Sequence, residues 1–275
     1  MTTEISGNEA SPNPFDAKQY WENRLGANPS LREVGYSMLG ASYNKWLYRM
    51  RRNVVRKEVA TVNSDLRDAR VLDIGSGTGF YLDLWHELGA RSVYGCDLTQ
   101  AAVTYLRKRF PSNPIYQADI GGDLPAEVQP GFDVISAFDV LFHIVDNLRF
   151  HRALQNIASL LRPGGLFYFT DSFLHYSQAG SAHHVSHTLD EIQHTLSNVG
   201  LEVLTRRPVF VSMNEPLDCG NRVWPLFWRL FMYPVKRSEI AGNALGTVLY
   251  CVDSVLVRLL NESPTTEIMV CRRIF

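Results

Sequence analysis

An α/β fold with a doubly wound, mostly parallel sheet is predicted for this chain, and three observations carry the prediction. From residue 70 onward short β-rich runs alternate with helix-length stretches, a pattern that calls for right-handed crossovers between parallel strands. The first of those runs empties into three glycines at alternate positions just before a helix. At 275 residues the chain is long enough for one α/β domain with its own core and some additions.

Taken in order, residues 1–14 mix Ser, Asn, Pro and Gly with few apolar side chains, which predicts a disordered N-terminus. A single domain, 15–275, should follow. Across 15–65, Tyr20, Trp21 and Leu25, then Trp46, Leu47, Met50, Val54 and Val55, recur at helix-face spacing, so two or three N-terminal helices are expected. Strands are predicted at 70–74, 92–96, 114–118, 132–138 and 166–170, with helices at 81–88, 100–110 and 147–161 between them. Arg162-Pro163-Gly164-Gly165 should stop the last of these helices before its strand. Thr188 and Glu191 fit a capping box opening a helix that ends at Gly200, and a strand within 201–211 completes a core of 66–211. Residues 212–263 are too long for a hairpin connection and rich in Trp, Phe and Leu, which predicts a helical insertion before a last strand in 264–275.

The composition narrows the function classes. Lys and Arg number 27 against 28 Asp and Glu, a formal net charge of -1, and no basic run is present, so nucleic acid is not the expected substrate. Cys96, Cys219, Cys251 and Cys271 form no C-x-x-C pair, and the N-terminus lacks a secretory pattern, which together point to free thiols and a cytoplasmic setting. No integral membrane span is expected: residues 223–235 are short and contain Arg229, while 240–260 contain Asp253 and Arg258. Both stretches read as core or interfacial helices.

The decisive stretch is Val71-Leu72-Asp73-Ile74-Gly75-Ser76-Gly77-Thr78-Gly79. An apolar strand running into these glycines and then a helix leaves backbone N–H groups open to a ligand, because no Cβ blocks the approach. The next strand ends at Asp97, about 20 residues downstream, where a carboxylate accepts hydrogen bonds from both ribose hydroxyls. A dinucleotide loop would need its third glycine at Phe80, and Gly79 comes one residue early, which weakens a nicotinamide reading. Asp73, just before the glycines, suits the amino end of a methionine moiety better than a pyrophosphate.

In these residues the chain resembles the first motif of the class I S-adenosylmethionine-dependent methyltransferases. Gly95-Cys96-Asp97-Leu98-Thr99 resembles their second motif, and Gln117-Ala118-Asp119-Ile120 resembles the third, which in the family contacts adenine. Residues 132–138 and Leu161-Arg162-Pro163-Gly164-Gly165-Leu166 are similar to the fourth-strand and fifth-strand segments. The resemblance covers 70–170 in order and extends more loosely to the last strand. It implies a seven-stranded Rossmann-like sheet and S-adenosyl-L-methionine as cofactor, with S-adenosyl-L-homocysteine as product. It also implies cofactor contacts from Asp73, Gly75, Ser76, Gly77, Thr78, Gly79, Asp97, Leu98, Asp119, Ile120 and Phe138. For Asp119, capping of its own turn is an equal alternative.

Methyl transfer is an in-line displacement that asks for alignment and, for a neutral nucleophile, a base. Doubly wound sheets place their sites at the carboxyl ends of the strands, which selects Phe138, Asp139, Phe142 and His143 after the fourth strand and Asp171, Ser172 and His175 after the fifth. His143 is the first choice as base, because imidazole titrates near neutrality; loop capping is its alternative role. His175 is the rival, and Asp139 a weaker one, since an ordinary carboxylate is poorly matched to an alcohol proton. Asp139 and Asp171 resemble the Mg²⁺ ligands of catechol-type methyltransferases, but Ser172 stands where those enzymes carry Asn, so no metal is expected. His183, His184 and His187 read as part of a polar loop over the site rather than a zinc cluster. Tyr20, Trp21, Tyr43, Phe142 and Trp228 are the expected substrate contacts, with ordinary helix packing as the alternative for the N-terminal aromatics. The insertion reads first as a substrate wall, and otherwise as a homodimer surface or a membrane-leaning patch. The expected function is O-methylation of a small, partly hydrophobic metabolite, a natural product or a lipid- or sugar-linked molecule. A non-catalytic cofactor-binding module and a nicotinamide oxidoreductase are the alternatives.

Overall fold

The computed structural model describes residues 16–27, 29–62, 65–176, 185–220 and 223–275. Residues 1–14, His183 and His184 lie outside them. Seven strands build one sheet: β1 (Arg70–Ile74), β2 (Ser92–Asp97), β3 (Ile115–Gln117), β4 (Phe132–Ala137), β5 (Leu161–Asp171), β6 (Leu201–Pro208) and β7 (Glu267–Arg273). Their order across the sheet is β3-β2-β1-β4-β5-β7-β6, with β7 alone antiparallel to its neighbours. The doubly wound, mostly parallel prediction therefore holds.

The side chains explain why. Along β1, Val71 joins one apolar cluster and Leu72 the other, and the same alternation separates Val134 from Ile135 and Tyr168 from Phe167 and Phe169. A strand whose both faces are apolar needs helices on both sides. α4 (Phe80–Glu87) and α5 (Gln100–Arg109) lie on one side of the chain reversal, and α6 (Asn147–Leu160) and α7 (Leu189–Asn198) on the other, after the N-terminal helices α1 (Ala17–Ala27), α2 (Leu31–Val34) and α3 (Gly40–Thr61). α5 is capped by Thr99, α6 by Asp146, and α7 by the predicted Thr188–Glu191 capping box.

One boundary differs from expectation. Arg162-Pro163-Gly164-Gly165 does not separate helix from strand, because Leu161 pairs with Phe132 directly after α6, and the register then jumps to Val134 opposite Leu166. The Pro-Gly-Gly run bulges out of a strand already begun.

The segment between β6 and β7 holds α8 (Val223–Phe231) and α9 (Glu239–Leu259). α9 lies along α3, where Trp46 Nε1 donates to Asn243 and Asn53 donates to the Tyr250 hydroxyl. Asp253, fully buried on α9, accepts from the backbone N–H groups of Val211, Ser212 and Met213. The strand order reverses at β1, with β2 on one side and β4 on the other. Such a switch point opens a crevice beyond the carboxyl ends of the strands.

Candidate functional site

That crevice is a cavity of about 840 Å³. Its floor is the loop after β1. Gly75, Gly77 and Gly79 hold φ values of 68°, 51° and 81°, in the left-handed region that favours glycine. A Cβ on Gly75 would stand 2.4 Å from Val140 Cγ2, and one on Gly79 would stand 2.3 Å from the Phe110 ring. The loop is pinned from below: the Ser76 hydroxyl donates to the Asp73 carbonyl at 2.8 Å, and the Gly77 N–H donates to Asp97 Oδ2 at 2.9 Å. Asp97 Oδ1 takes the N–H and hydroxyl of Thr99. Burial pushes the Asp97 carboxyl above the usual carboxylate range, and these N–H donors pull against it.

Asp73 lies under the loop in a buried relay, with Trp85 Nε1 donating to the Ser136 hydroxyl and that hydroxyl to Asp73 Oδ1. Its Oδ2 is buried without a protein partner, and burial raises this carboxyl to about 7. An orphaned carboxylate oxygen is costly unless something else supplies a donor.

The cover comes from α1. Glu22 accepts from the backbone N–H groups of Gln100 and Ala101, so its carboxylate seats α1 on the N-terminus of α5. Trp21 thereby lines the cavity together with Leu25 and Val34, and meets His143 edge-on at 5.0 Å. His143 closes a short 3₁₀ turn, Leu141–His143, beyond β4. Phe138, Asp139, Val140 and Ile144 complete that wall, and Leu98, Asp119 and Ile120 the opposite one.

Behind Asp139 lies a charge that sequence reasoning missed. Arg51, on α3 and buried, reaches Asp139 Oδ2 at 2.7 Å and lies between the rings of Tyr48 and Phe210. Burial disfavours its charge, but the Asp139 carboxylate outweighs that and holds the guanidinium firmly protonated. Asp139 has φ 58°, and the Thr170 hydroxyl accepts its N–H and donates back to its Oδ1. Ion pair and hydrogen bonds together hold a conformation that a non-glycine residue rarely adopts. A sequence signal for Arg51 exists: Asn44, Arg51 and Glu58 recur every seven residues on the buried face of α3.

A family described as methyltransferase domain matches residues 72–169. The match runs from β1 to β5, the strands that frame the cavity. Among curated relatives, a ubiquinone biosynthesis O-methyltransferase of Xanthomonas euvesicatoria pv. vesicatoria is 33% identical over 121 residues, 43% of this chain and 49% of that one. One of Neisseria meningitidis serogroup C is 30% identical over 123 residues, 43% of this chain and 50% of that one. The chain thus spans about half the length of the curated relatives it matches. Among solved structures, magnesium protoporphyrin IX methyltransferase from Synechocystis PCC 6803 with bound SAM superposes with a TM-score of 0.56 at 13% identity, covering 96% of this chain and 100% of that one. The N-methyltransferase NodS from Bradyrhizobium japonicum WM9 with S-adenosyl-l-homocysteine gives 0.55 at 15%, covering 94% and 98%. These two are likenesses of fold.

Within the methyltransferase domain the structure gathers Gly75, Ser76, Gly77, Thr78, Asp97, Leu98, Asp119, Ile120, Phe138, Asp139 and His143 around one cavity, with Trp21 from outside the domain. Asp73 and Gly79 do not line it: Asp73 is buried beneath the loop against Ser136, and Gly79 lets α4 start against Phe110 and Leu106. The Asp119 carboxylate accepts the Gly121 N–H and pairs with Arg149, which is the turn-capping geometry. Several expected contacts are elsewhere. Tyr43 is wholly buried and donates to the Met213 carbonyl, and Trp228 stacks on Tyr36 and donates to the Ser212 carbonyl, so both are core residues. Tyr20 takes a hydrogen bond from Arg24, and Phe142 packs beside His143; neither lines the cavity. No described residue of 212–263 lines it either, so the substrate-wall reading of the insertion fails. His175 is outside as well, paired with Asp218 and 3.6 Å from Glu262. His187 is stacked at 3.9 Å on Phe150, away from the methyltransferase cavity.

Asp171, buried near Asp139, supplies a pH test. Burial raises its carboxyl to about 7, against the Ser172 N–H bond, with the Asp139 charge adding to the rise. Because the folded value lies above the unfolded one, the neutral form stabilises the fold, fully at low pH and less as pH rises through about 7. In urea titrations the unfolding free energy should fall between about pH 4 and 7 and level off above that. Asp171→Asn should flatten that fall by up to about 1.4 kcal/mol per pH unit, leaving what Asp73 and Glu267, raised to about 7 by the same cause, contribute. An unchanged slope in the variant would exclude Asp171 as the titrating group.

Proposed function

We propose that the protein transfers the methyl group of S-adenosyl-L-methionine to an oxygen of a small, partly hydrophobic acceptor. The observation that carries this reading is one cavity holding both the glycine loop with Asp97 and, beyond an apolar stretch, His143. The likeness to O-methyltransferases of ubiquinone biosynthesis supports oxygen as the accepting atom.

The residues fit the cofactor. The left-handed glycine loop leaves room where a Cβ would intrude. Asp97 would take the ribose hydroxyls, and Leu98 and Ile120 would flank the base, while Asp73 supports the loop from beneath. When bound, the cofactor supplies an electrophilic methyl carbon on a sulfonium. Trp21, Leu25, Val34, Val140 and Ile144 offer apolar walls for the acceptor and exclude water. His143 takes the proton that the acceptor hydroxyl loses as its oxygen attacks. Arg51 holds Asp139, and with it the chain leaving β4 toward His143. The N-terminal helices of 15–65 act as the lid. Four free cysteines support a reducing, cytoplasmic setting.

Calorimetric titration with S-adenosyl-L-homocysteine, followed by transfer of a labelled methyl group to a panel of phenolic and catecholic lipophiles, tests the proposal. Micromolar binding and labelled ether products are expected. Binding without transfer to any oxygen, nitrogen or carbon acceptor in a metabolite extract would reduce the protein to a binding module, and absence of binding would remove the cofactor assignment.

A further inference from the structure

The insertion, excluded from the cavity, shows water a surface unlike the rest of the molecule. α8 is anchored on one side only, where Trp228, and beyond the helix Met232 and Val235, enter the core. On its other sides Trp224, Leu226, Phe227, Leu230 and Phe231 are each 45–66% exposed. Arg229 is the one charged residue of α8, and exposed apolar patches of this kind mark interaction sites. α9 adds Val248, Val252, Val255 and Leu259, an exposed row at helical spacing beside its buried row.

Charge selects the occupant. Residues 223–238 contain Arg229, Lys236 and Arg237 and no Asp or Glu. Arg229 pairs with Glu215, while Lys236 and Arg237 are exposed at the end of the apolar stretch. Two identical patches of this kind would bring like charges together across a dimer axis, whereas an anionic lipid surface complements them. Aromatic and leucine side chains with basic neighbours are the composition of helices that lie in the headgroup boundary. α9 is 21 residues long and contains a window of mean hydropathy 1.6, long and apolar enough to cross a membrane, but in this fold it is held against α3 and residues 211–213. Its Asp253 holds three backbone N–H groups of 211–213, and its length is packed along α3.

We infer that α8, with the exposed row of α9, docks this protein on an anionic lipid surface as a peripheral membrane protein. The docked helix is tied to the cavity cover: Trp228 stacks on Tyr36, two residues along from the cavity-lining Val34, and the Tyr36 hydroxyl and Arg229 both donate to Glu215. Resting on the proposed function, this arrangement fits an acceptor that partitions into the bilayer and enters the site from its surface.

The test is flotation of the full chain with vesicles of phosphatidylethanolamine and phosphatidylglycerol, against pure phosphatidylcholine, without cofactor. Wild type should float with the anionic vesicles, at least about tenfold better than with the zwitterionic ones, and raised salt should release it. The Phe227→Glu, Leu230→Glu double variant should stay in the buffer while binding S-adenosyl-L-homocysteine like wild type, which separates loss of docking from loss of fold. Lys236→Glu with Arg237→Glu should lower flotation by about tenfold or more. Wild type that does not float, or a Phe227→Glu, Leu230→Glu variant that floats unchanged, overturns the inference. So does a dimer in sedimentation that this variant dissociates while vesicles recover nothing. None of these outcomes depends on methyl transfer, so the docking surface and the proposed activity stand or fall separately.

Discussion

Asp97→Ala should weaken S-adenosyl-L-homocysteine binding by at least about a hundredfold. Each hydrogen bond to a charged acceptor is worth about 1.5–3 kcal/mol, and under the proposed function the substitution would remove the acceptor for both ribose hydroxyls at once. It also frees the Gly77 N–H that the carboxylate holds at 2.9 Å, so the glycine loop loses part of its support before any ligand arrives. Asp97→Asn keeps one acceptor but turns an NH₂ group toward existing N–H donors, and should fall between the two. The fold should survive, because the apolar pairing of β1 and β2 does not pass through this side chain. Calorimetry that finds wild-type affinity in a folded Asp97→Ala protein would end the ribose assignment.

His143→Ala should lower turnover by at least about tenfold, and by up to about 10⁴-fold if proton removal limits the reaction. A factor of 10²–10⁴ corresponds to roughly 3–5 kcal/mol of barrier. Cofactor affinity should stay within a small factor, because the loop and Asp97 lie across the cavity. The wild-type pH profile should show a base near neutrality that the variant lacks. The competing groups are poorly placed: His175 is committed to Asp218 outside the cavity, and Asp139 to Arg51. Normal turnover in His143→Ala would mean that the acceptor arrives already ionised and needs only alignment.

What could be read from the sequence follows the range of the interactions involved. The glycine loop and the capping box at Thr188 are each set by residues within a few positions of one another, and the structure has them where the spacing put them. The strands were legible because a strand buried on both faces reads as a short continuous β-rich run. Aromatic residues on amphipathic helices were not: Trp21 and Tyr43 belong to similar patterns, yet Glu22 docks one on the cavity while the other is sealed against Met213. Which way such a ring faces is decided by a partner far along the chain. Trp228 misled for the same reason, since a Trp in an apolar helix fits a ligand wall and a core equally well. Arg51 was hidden because its partner, Asp139, is far away in sequence, and a lone arginine on an apolar helix face does not announce a buried ion pair.

The pairing of β6 with β7 carries a consequence for how such proteins diversify. The two strands lie side by side along seven residue pairs, although residues 209–266 separate them in the chain. The ends of that long excursion are thus fastened together by the sheet itself. Closing a flexible connection grows costlier only logarithmically, by about 0.6 kcal/mol for each doubling of its length. Evolution can therefore lengthen, shorten or exchange everything between these strands at small expense to the catalytic half. One conserved chemistry can be readdressed to a new surface or compartment by rewriting a single excursion.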